Sequence, residues 1–259
     1  MNGFCKHPVR VCVRLLWLAG EILLALLDFV VNVIFRPKIP LLRARAQWLQ
    51  QACRRILRVL GVEFQTQGQI PLRGLLVSPQ LSYLDVLVIG TITPAVFISK
   101  SEVKRWLIFG WFAQLAGSIF APRARRVDLA RINREVGNVL DAGGLIVSFP
   151  EETGSDGRRV LPFESSLLEP AIRWQHPLSV AFIRYSLPGG RESEVAGAAN
   201  DPALAPPLID VLSRERIGAR ISFTQLESGP ACRKQLAAQL QSHVLRSPGP
   251  ASATKHALA

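Results

Sequence analysis

From Val62 onward, short apolar runs alternate with helical patterns, and this alternation constrains the fold more than any other feature of the chain. The runs are rich in Val, Ile and Phe, as is typical of buried strands. They lie at 62–66, 74–78, 95–99, 118–121, 145–149, 178–185 and 219–224. The helical patterns between them lie at 83–91, 108–116, 127–142, 166–174, 205–212 and 233–245. The alternation predicts a single α/β domain with a mixed, largely parallel sheet flanked by helices.

A long apolar run, Leu15 to Phe35, precedes this domain. Its 21 residues are enough to cross a bilayer as a helix, which needs about 20. Glu21 and Asp28 lie on one helix face and, with Asn32, form a polar stripe; each acid at a bilayer centre costs about 2.5 to 3.5 kcal/mol. The stripe favours a helix that lies in the membrane interface or packs against a second helix. A buried helix of a soluble protein is the alternative, and spanning stays open.

The next pattern, Leu41 to Leu60, is an amphipathic helix with arginines at its polar positions. Its neighbour is apolar and the chain carries a net charge of +12, so we expect both helices to attach to an anionic membrane surface. An ordinary solvated face is the alternative. The charge alone also fits a phosphorylated small molecule or a nucleic acid. No nucleic-acid partner is expected, because no recognition motif is present.

The chain therefore divides into two membrane-associating helices (1–61), an α/β domain (62–246) and a tail (247–259). The tail is small, polar and proline-bearing, which predicts disorder. Four cysteines and four histidines show no metal-ligand spacing. We therefore expect reduced cysteines and no zinc site.

The stretch "LLVSPQLSYLDVLVIG", Leu75 to Gly90, places polar residues where a buried strand runs into a helix. Ser82 can cap that helix, and Asp85 can reach back to the first amide, which is the arrangement of a capping box. A carboxylate here can also orient a base in the preceding loop. The residue five before Asp85 is Gln80, whose amide cannot take a proton at neutral pH.

This stretch resembles the first motif, N-H-x-x-x-x-D, of the glycerolipid acyltransferase family, which includes the lysophosphatidate acyltransferases. The family's Asn and His fall on Pro79 and Gln80, and its Asp falls on Asp85. The resemblance implies that the residue at position 80 deprotonates an acceptor hydroxyl and that Asp85 orients it. Here the position of the base holds Gln80.

The segment Phe97 to Arg123 resembles the family's second motif. The resemblance implies that Lys100 and Arg123 hold the acceptor's phosphate, a role that suits a point charge and a bidentate cation respectively. With Ser82 they belong to the predicted substrate-binding set.

"FPEETGSDGRRVLPFESSLLEPA", Phe149 to Ala171, resembles the third motif, F-P-E-G-T-x-S. Glu151 and Thr153 match and are implied to shape the acceptor site. Glu152 replaces a glycine and Gly154 replaces a common arginine. The segment 176–185 resembles the fourth motif, a strand that lines the site.

The resemblance implies transfer of a fatty acyl chain from acyl-carrier protein or acyl-coenzyme A to the free hydroxyl of a lysophospholipid such as lysophosphatidate. It also implies that no metal and no bound cofactor are needed. The expected location is the cytoplasmic face of the inner or plasma membrane. Because Gln80 replaces the catalytic His, we expect impaired or absent activity. The alternative is a catalytically silent lipid-binding or scaffolding homologue.

Overall fold

The computed structural model describes residues 7–35, 39–79, 82–121, 126–149, 176–187, 208–226 and 254–256. The helices are α1 (Pro8–Phe29), which continues as a π-helix over Val30–Phe35, α2 (Leu41–Leu60), α3 (Leu84–Ile92), a 3₁₀ helix (Ser101–Arg105), α4 (Leu107–Leu115), α5 (Arg126–Asp141) and α6 (Leu208–Ser213). The strands are β1 (Val62–Gln67), β2 (Gly74–Val77), β3 (Val96–Lys100), β4 (Ile119–Ala121), β5 (Leu145–Ser148), β6 (Leu178–Ser186), β7 (Ile217–Leu226) and β8 (Thr254–His256).

The strands form one sheet in the order β4-β3-β5-β2-β6-β7-β1-β8. Neighbouring strands are parallel except for the β6–β7 and β1–β8 pairs, which are antiparallel. The prediction of a mixed, largely parallel sheet flanked by helices is therefore confirmed. The predicted helices at 166–174 and 233–245 lie outside the described residues.

Helices cover both faces of the sheet, and each face has its own apolar core. Helix α5 packs on one face, whereas α1, α2, α3 and α6 lie on the other. Strand β6 shows the alternation: Leu178 and Val180 belong to the α5 core, and Ala181, Ile183 and Tyr185 belong to the opposite core. This sets the side of the sheet on which Tyr185 lies.

Helix α2 has the predicted bounds and ends at Gly61, whose φ of 69° is a left-handed cap conformation. Its apolar face is buried against α1 and α3, with Trp48, Ala52 and Leu57 in the core. Because the protein itself covers this face, any contact of α2 with a membrane would use its exposed polar side, and the attachment of α2 to an anionic membrane stays a prediction. The exposed part of α2 is its polar side, which includes Arg54 and Arg58.

Helix α1 and its π-helical extension, residues 8–35, form the one described helix that is long and apolar enough to cross a membrane. In an apolar stretch of 18 residues in this helix only 22% of the residues are buried, so most of its outer side is not covered by protein. The predicted polar stripe borders a cleft with α2: Glu21 and Asp28 face the same space as Arg55 and Arg58. The stripe thus lies toward a second helix, which is one of the two arrangements that the sequence favoured.

Strand β8 lies within the segment 247–259, for which composition predicts disorder. Thr254–His256 pair with β1 in antiparallel register, Phe64 opposite His256. The other residues of this segment lie outside the described residues, and the disordered tail stays a prediction.

Candidate active site

The carboxyl ends of the parallel strands β2, β3 and β5 lie at one edge of the sheet, which is where open α/β sheets place their ligands. Val77 is aligned with Ser148 across the β2–β5 pair. Lys100 is the last residue of β3, and Phe149 follows β5 directly. This edge brings together the start of the first motif, Lys100 of the second and Phe149, the first residue of the third.

The turn between β2 and α3 is closed by two reciprocal hydrogen bonds. The Ser82 amide donates to Asp85 Oδ2 at 2.8 Å, and the Leu84 amide donates to Ser82 Oγ at 3.2 Å. Ser82 and Asp85 are both fully buried. The capping box predicted from the sequence is therefore present, with the carboxylate at the positive end of the helix dipole.

Tyr185 is the second partner of this carboxylate, and the sequence did not identify it. Its hydroxyl donates to Asp85 Oδ1 at 2.6 Å, and the contact is buried. Strand β6 pairs with β2 at Val77–Val180 and continues to Ser186, which brings Tyr185, five residues after Val180, over the junction. The two oxygens of Asp85 therefore accept from two different parts of the chain.

Neither tyrosine at the junction can act as a base at neutral pH. Burial, followed by the charge of Asp85, raises the pKa of Tyr185 well above its ordinary value of 10, because both disfavour the phenolate. Burial, with a contribution from Asp210, raises the pKa of Tyr83 to about 12. The Tyr83 hydroxyl is buried without a hydrogen-bond partner, in contrast to that of Tyr185.

An apolar cavity of about 330 Å³ opens beside this junction. Leu18 and Ile22 of α1, residues of α2 and α3, and aromatic residues of the 3₁₀–α4 segment form its walls. The Phe97 and Phe149 rings stack in its wall with their centroids 6.3 Å apart. The polar residues of its lining are Tyr83, Ser99, Lys100, Glu102 and Ser118. The space suits an aliphatic chain with a polar end at the edge of the sheet.

Three of the predicted site residues lie among the described residues: Ser82 and Asp85 are hydrogen-bonded to each other, and Lys100 borders the cavity. The other four, Gln80, Arg123, Glu151 and Thr153, lie outside the described residues. Within the part of the chain that is described, no cluster of three or more His, Cys, Asp or Glu residues is placed to hold a metal ion.

His176 lies before the amino end of β6, at the edge of the sheet opposite the junction. Its Nε2 atom is 3.3 Å from Asp141 Oδ1, at the end of α5. His176 therefore lies away from the junction and is not placed to act as a base there.

Comparisons with known proteins identify first the class of protein and then the family to which this chain belongs. The Acyltransferase family model matches residues 61–183. The crystal structure of the 1-acyl-sn-glycerophosphate (LPA) acyltransferase PlsC from Thermotoga maritima has the same fold, with a TM-score of 0.58 over 92% of this chain and 97% of that chain at 17% identity.

Two relatives indicate which family of acyltransferases the chain belongs to. The chain is 33% identical over 207 residues to the lyso-ornithine lipid O-acyltransferase of Brucella abortus, which covers 73% of this chain and 77% of the relative. It is 33% identical over 166 residues to the 1-acyl-sn-glycerol-3-phosphate acyltransferase of Neisseria meningitidis, covering 63% of this chain and 64% of the relative. The chain belongs to the glycerolipid acyltransferase family, as its motifs predicted.

Proposed function

We propose that the protein binds an acyl chain and a lysolipid at a membrane surface and transfers the acyl group to the lysolipid hydroxyl at a strongly reduced rate. The donor is acyl-carrier protein or acyl-coenzyme A. The acceptor is either a lysophospholipid such as lysophosphatidate, or a lyso-ornithine lipid. These are the two types of acceptor in the names of the relatives. The observation that carries the proposal is the apolar cavity lined by Lys100 and by Tyr83, the residue that follows Ser82 at the junction.

In the proposed reaction the acceptor hydroxyl attacks the thioester carbonyl carbon, the C–S bond breaks and the thiol leaves. Lys100 and Arg123 hold the anionic headgroup, while Ser82, Glu151 and Thr153 shape the acceptor site. The hydroxyl proton must pass to a base as the bond forms, and Gln80 cannot accept it. Loss of a general base typically lowers a rate by about 10² to 10⁴.

The described residues support the proposal that the site still binds its substrates but lacks the base that accepts the hydroxyl proton. Asp85 stays buried and doubly hydrogen-bonded, so the scaffold that would orient a base is intact. The two nearby tyrosines keep their protons at neutral pH and cannot substitute for that base. The proposed defect is therefore confined to position 80 and to the altered third motif, in which Glu152 adds a negative charge.

Helix α1 provides the proposed membrane attachment, and its contacts favour a position in the interface. Near its start, Arg10 and Arg14 donate to the carbonyl oxygens of Ser213 and Leu212 at the end of α6. Farther along, Trp48 Nε1 donates to the Ala25 carbonyl at 2.7 Å. A helix held to the domain at both points lies along it, with its apolar outer side toward lipid. The proposed face is the cytoplasmic one, because both candidate donors occur in the cytoplasm.

The second candidate is a catalytically silent homologue that binds or organises lipid, and Gln80 is the observation that favours it. Labelled acyl transfer to lysophosphatidate and to lyso-ornithine lipid separates the two functions, with Asp85→Asn as the control. Slow turnover that is lost in the control supports the enzyme. Turnover equal to background, together with binding of a labelled fatty acyl chain, supports the silent homologue. Failure to bind either lipid would contradict both candidates.

A further inference from the structure

We propose that a second surface, separate from α1, inserts into the interfacial region of an anionic lipid bilayer. This surface, the α4 aromatic patch, is formed by Trp106, Ile108, Phe109 and Trp111. The inference rests on the membrane attachment proposed above and adds a contact to it that α1 does not provide.

The four side chains of the patch are 36% to 57% exposed, with Trp111 the most exposed. Large apolar side chains grouped in this way on a surface mark an interaction site. Tryptophan combines an apolar ring with an N–H donor and is therefore suited to the boundary between lipid and water. The inner side of α4 remains in the core through Phe112. The helix thus has one side for the protein and one for a partner.

Local packing holds the patch in shape before any partner binds. At Gly110 an added Cβ atom would lie 2.5 Å from the Lys104 carbonyl oxygen, so the glycine allows the 3₁₀ segment to pack closely on α4. The Gly110 amide donates to the Trp106 carbonyl at 2.7 Å. The Phe109 ring makes edge contacts with Trp106 and with Tyr83. A preformed surface loses little conformational freedom on binding.

The charge beside the patch selects an anionic partner. Lys104 and Arg105 are exposed directly before Trp106, and Glu102 is the one acid of the 3₁₀ segment. A cation close to an anionic membrane surface is attracted to it. Lys104 Nζ also lies 4.6 Å from the centroid of the Phe120 ring, which holds this cation against the protein surface.

Continuity with α1 identifies the partner as a bilayer. Leu18 and Ile22 of α1 form the same cavity wall as Trp106 and Phe109 of the patch. The outer side of α1 is apolar along most of its length, with Leu16 and Leu23 exposed. A lipid surface can cover both elements together. An acyl chain would then enter the cavity from the bilayer, between α1 and the patch.

Tryptophan quenching by brominated lipids tests this placement directly. Trp48 is 3% exposed and stays in every protein as a common reference. One protein keeps Trp111, another keeps Trp17 of α1, and a third keeps neither, with every other tryptophan replaced by Phe. Each is bound to phosphatidylcholine–phosphatidylglycerol vesicles with and without bromine on the acyl chains. The expected result is quenching of both Trp111 and Trp17 beyond the Trp48 signal.

The outcomes separate this inference from the proposals on which it rests. Quenching of Trp17 without Trp111 would overturn the patch and leave attachment through α1 intact, whereas quenching of neither would remove both. A Trp111 signal that changes only when acyl-carrier protein is added, or only with protein concentration, would assign the patch to the donor protein or to a second copy and overturn the inference. Quenching of Trp111 without acyl transfer would refute the enzyme and support the patch.

Vesicle sedimentation adds a matched pair of variants. Trp111→Ser removes an exposed apolar side chain from the patch, and Leu72→Ser removes one from the loop between β1 and β2. Trp111→Ser should weaken binding by about tenfold, and Leu72→Ser should leave it unchanged. Equal binding by the two variants would contradict the proposal.

Discussion

The hydrogen bond between Tyr185 and Asp85 leads to a prediction for which the chain itself supplies a control residue. The sequence contains two tyrosines, Tyr83 and Tyr185, and both hydroxyls are buried near the start of α3. Tyr185 donates to a carboxylate, whereas the Tyr83 hydroxyl has no hydrogen-bond partner. Replacing each tyrosine by Phe removes a hydroxyl oxygen, which is hydrogen-bonded at position 185 and has no hydrogen-bond partner at position 83.

The expected costs follow from what each hydroxyl does. A hydrogen bond to a charged group contributes about 1.5 to 3 kcal/mol, and Tyr185→Phe also leaves Asp85 Oδ1 without this donor in a buried site. We therefore expect Tyr185→Phe to lower the free energy of unfolding by about 2 to 3 kcal/mol. Tyr83→Phe removes a hydroxyl without a partner, so its effect should lie within about 0.5 kcal/mol of zero.

The pH dependence gives an independent check on the same bond. The pKa of Tyr185 is raised on folding, so its contribution to stability is complete below the unfolded value of about 10 and is lost as the pH rises toward the folded value. The difference in stability between the native protein and Tyr185→Phe should therefore shrink above about pH 10.

Denaturant unfolding in detergent, followed by circular dichroism, measures both effects. The account requires a large loss for Tyr185→Phe, a negligible one for Tyr83→Phe and a gap that closes at high pH. Equal losses for the two variants, or a gap that widens above pH 10, would refute the reasoning.

Three further predictions concern the cavity and its walls. Burial raises the pKa of Cys53 to about 12, so at pH 8 a thiol reagent should modify exposed Cys12 and spare Cys53; modification of both in the folded protein would contradict this. Gly90→Ala places a Cβ atom 2.8 Å from Cys53 Sγ and should lower the free energy of unfolding by about 1 to 3 kcal/mol, with recovery in a Gly90→Ala/Cys53→Ala double variant; no recovery would exclude this clash as the cause. Ala113→Trp fills part of the cavity and should weaken binding of long acyl chains more than short ones, and an equal effect on all lengths would place the chain elsewhere.

Local patterns in the sequence predicted the elements well. The bounds of α2 coincide with its periodicity, and the predicted strands at 62–66 and 145–149 correspond to β1 and β5 within a residue at each end. Periodicity identifies an apolar face but does not say what covers it. For α2 the cover is α1 and α3, which the periodicity of α2 alone could not identify.

In the site too, contacts between residues close in the sequence were predictable, whereas contacts between distant residues were not. Ser82 and Asp85 are three residues apart, so their capping box could be read from the sequence. Tyr185 lies a hundred residues from Asp85, and their contact depends on β6 pairing with β2, which no local pattern specifies. The alternation of β6 groups Tyr185 with Ala181 and Ile183 on one face, which is the signal that was available.

Restoration of the base is the most direct test of the central claim, that this site keeps its scaffold and lacks a proton acceptor at position 80. Acyl transfer is measured for the native protein, for Gln80→His and for Gln80→His combined with Glu152→Gly. The account predicts that Gln80→His raises turnover by about 10² to 10⁴ and that Asp85→Asn in the same background removes most of the gain. Turnover that stays at the native level in both His variants, although each binds lipid normally, would contradict it.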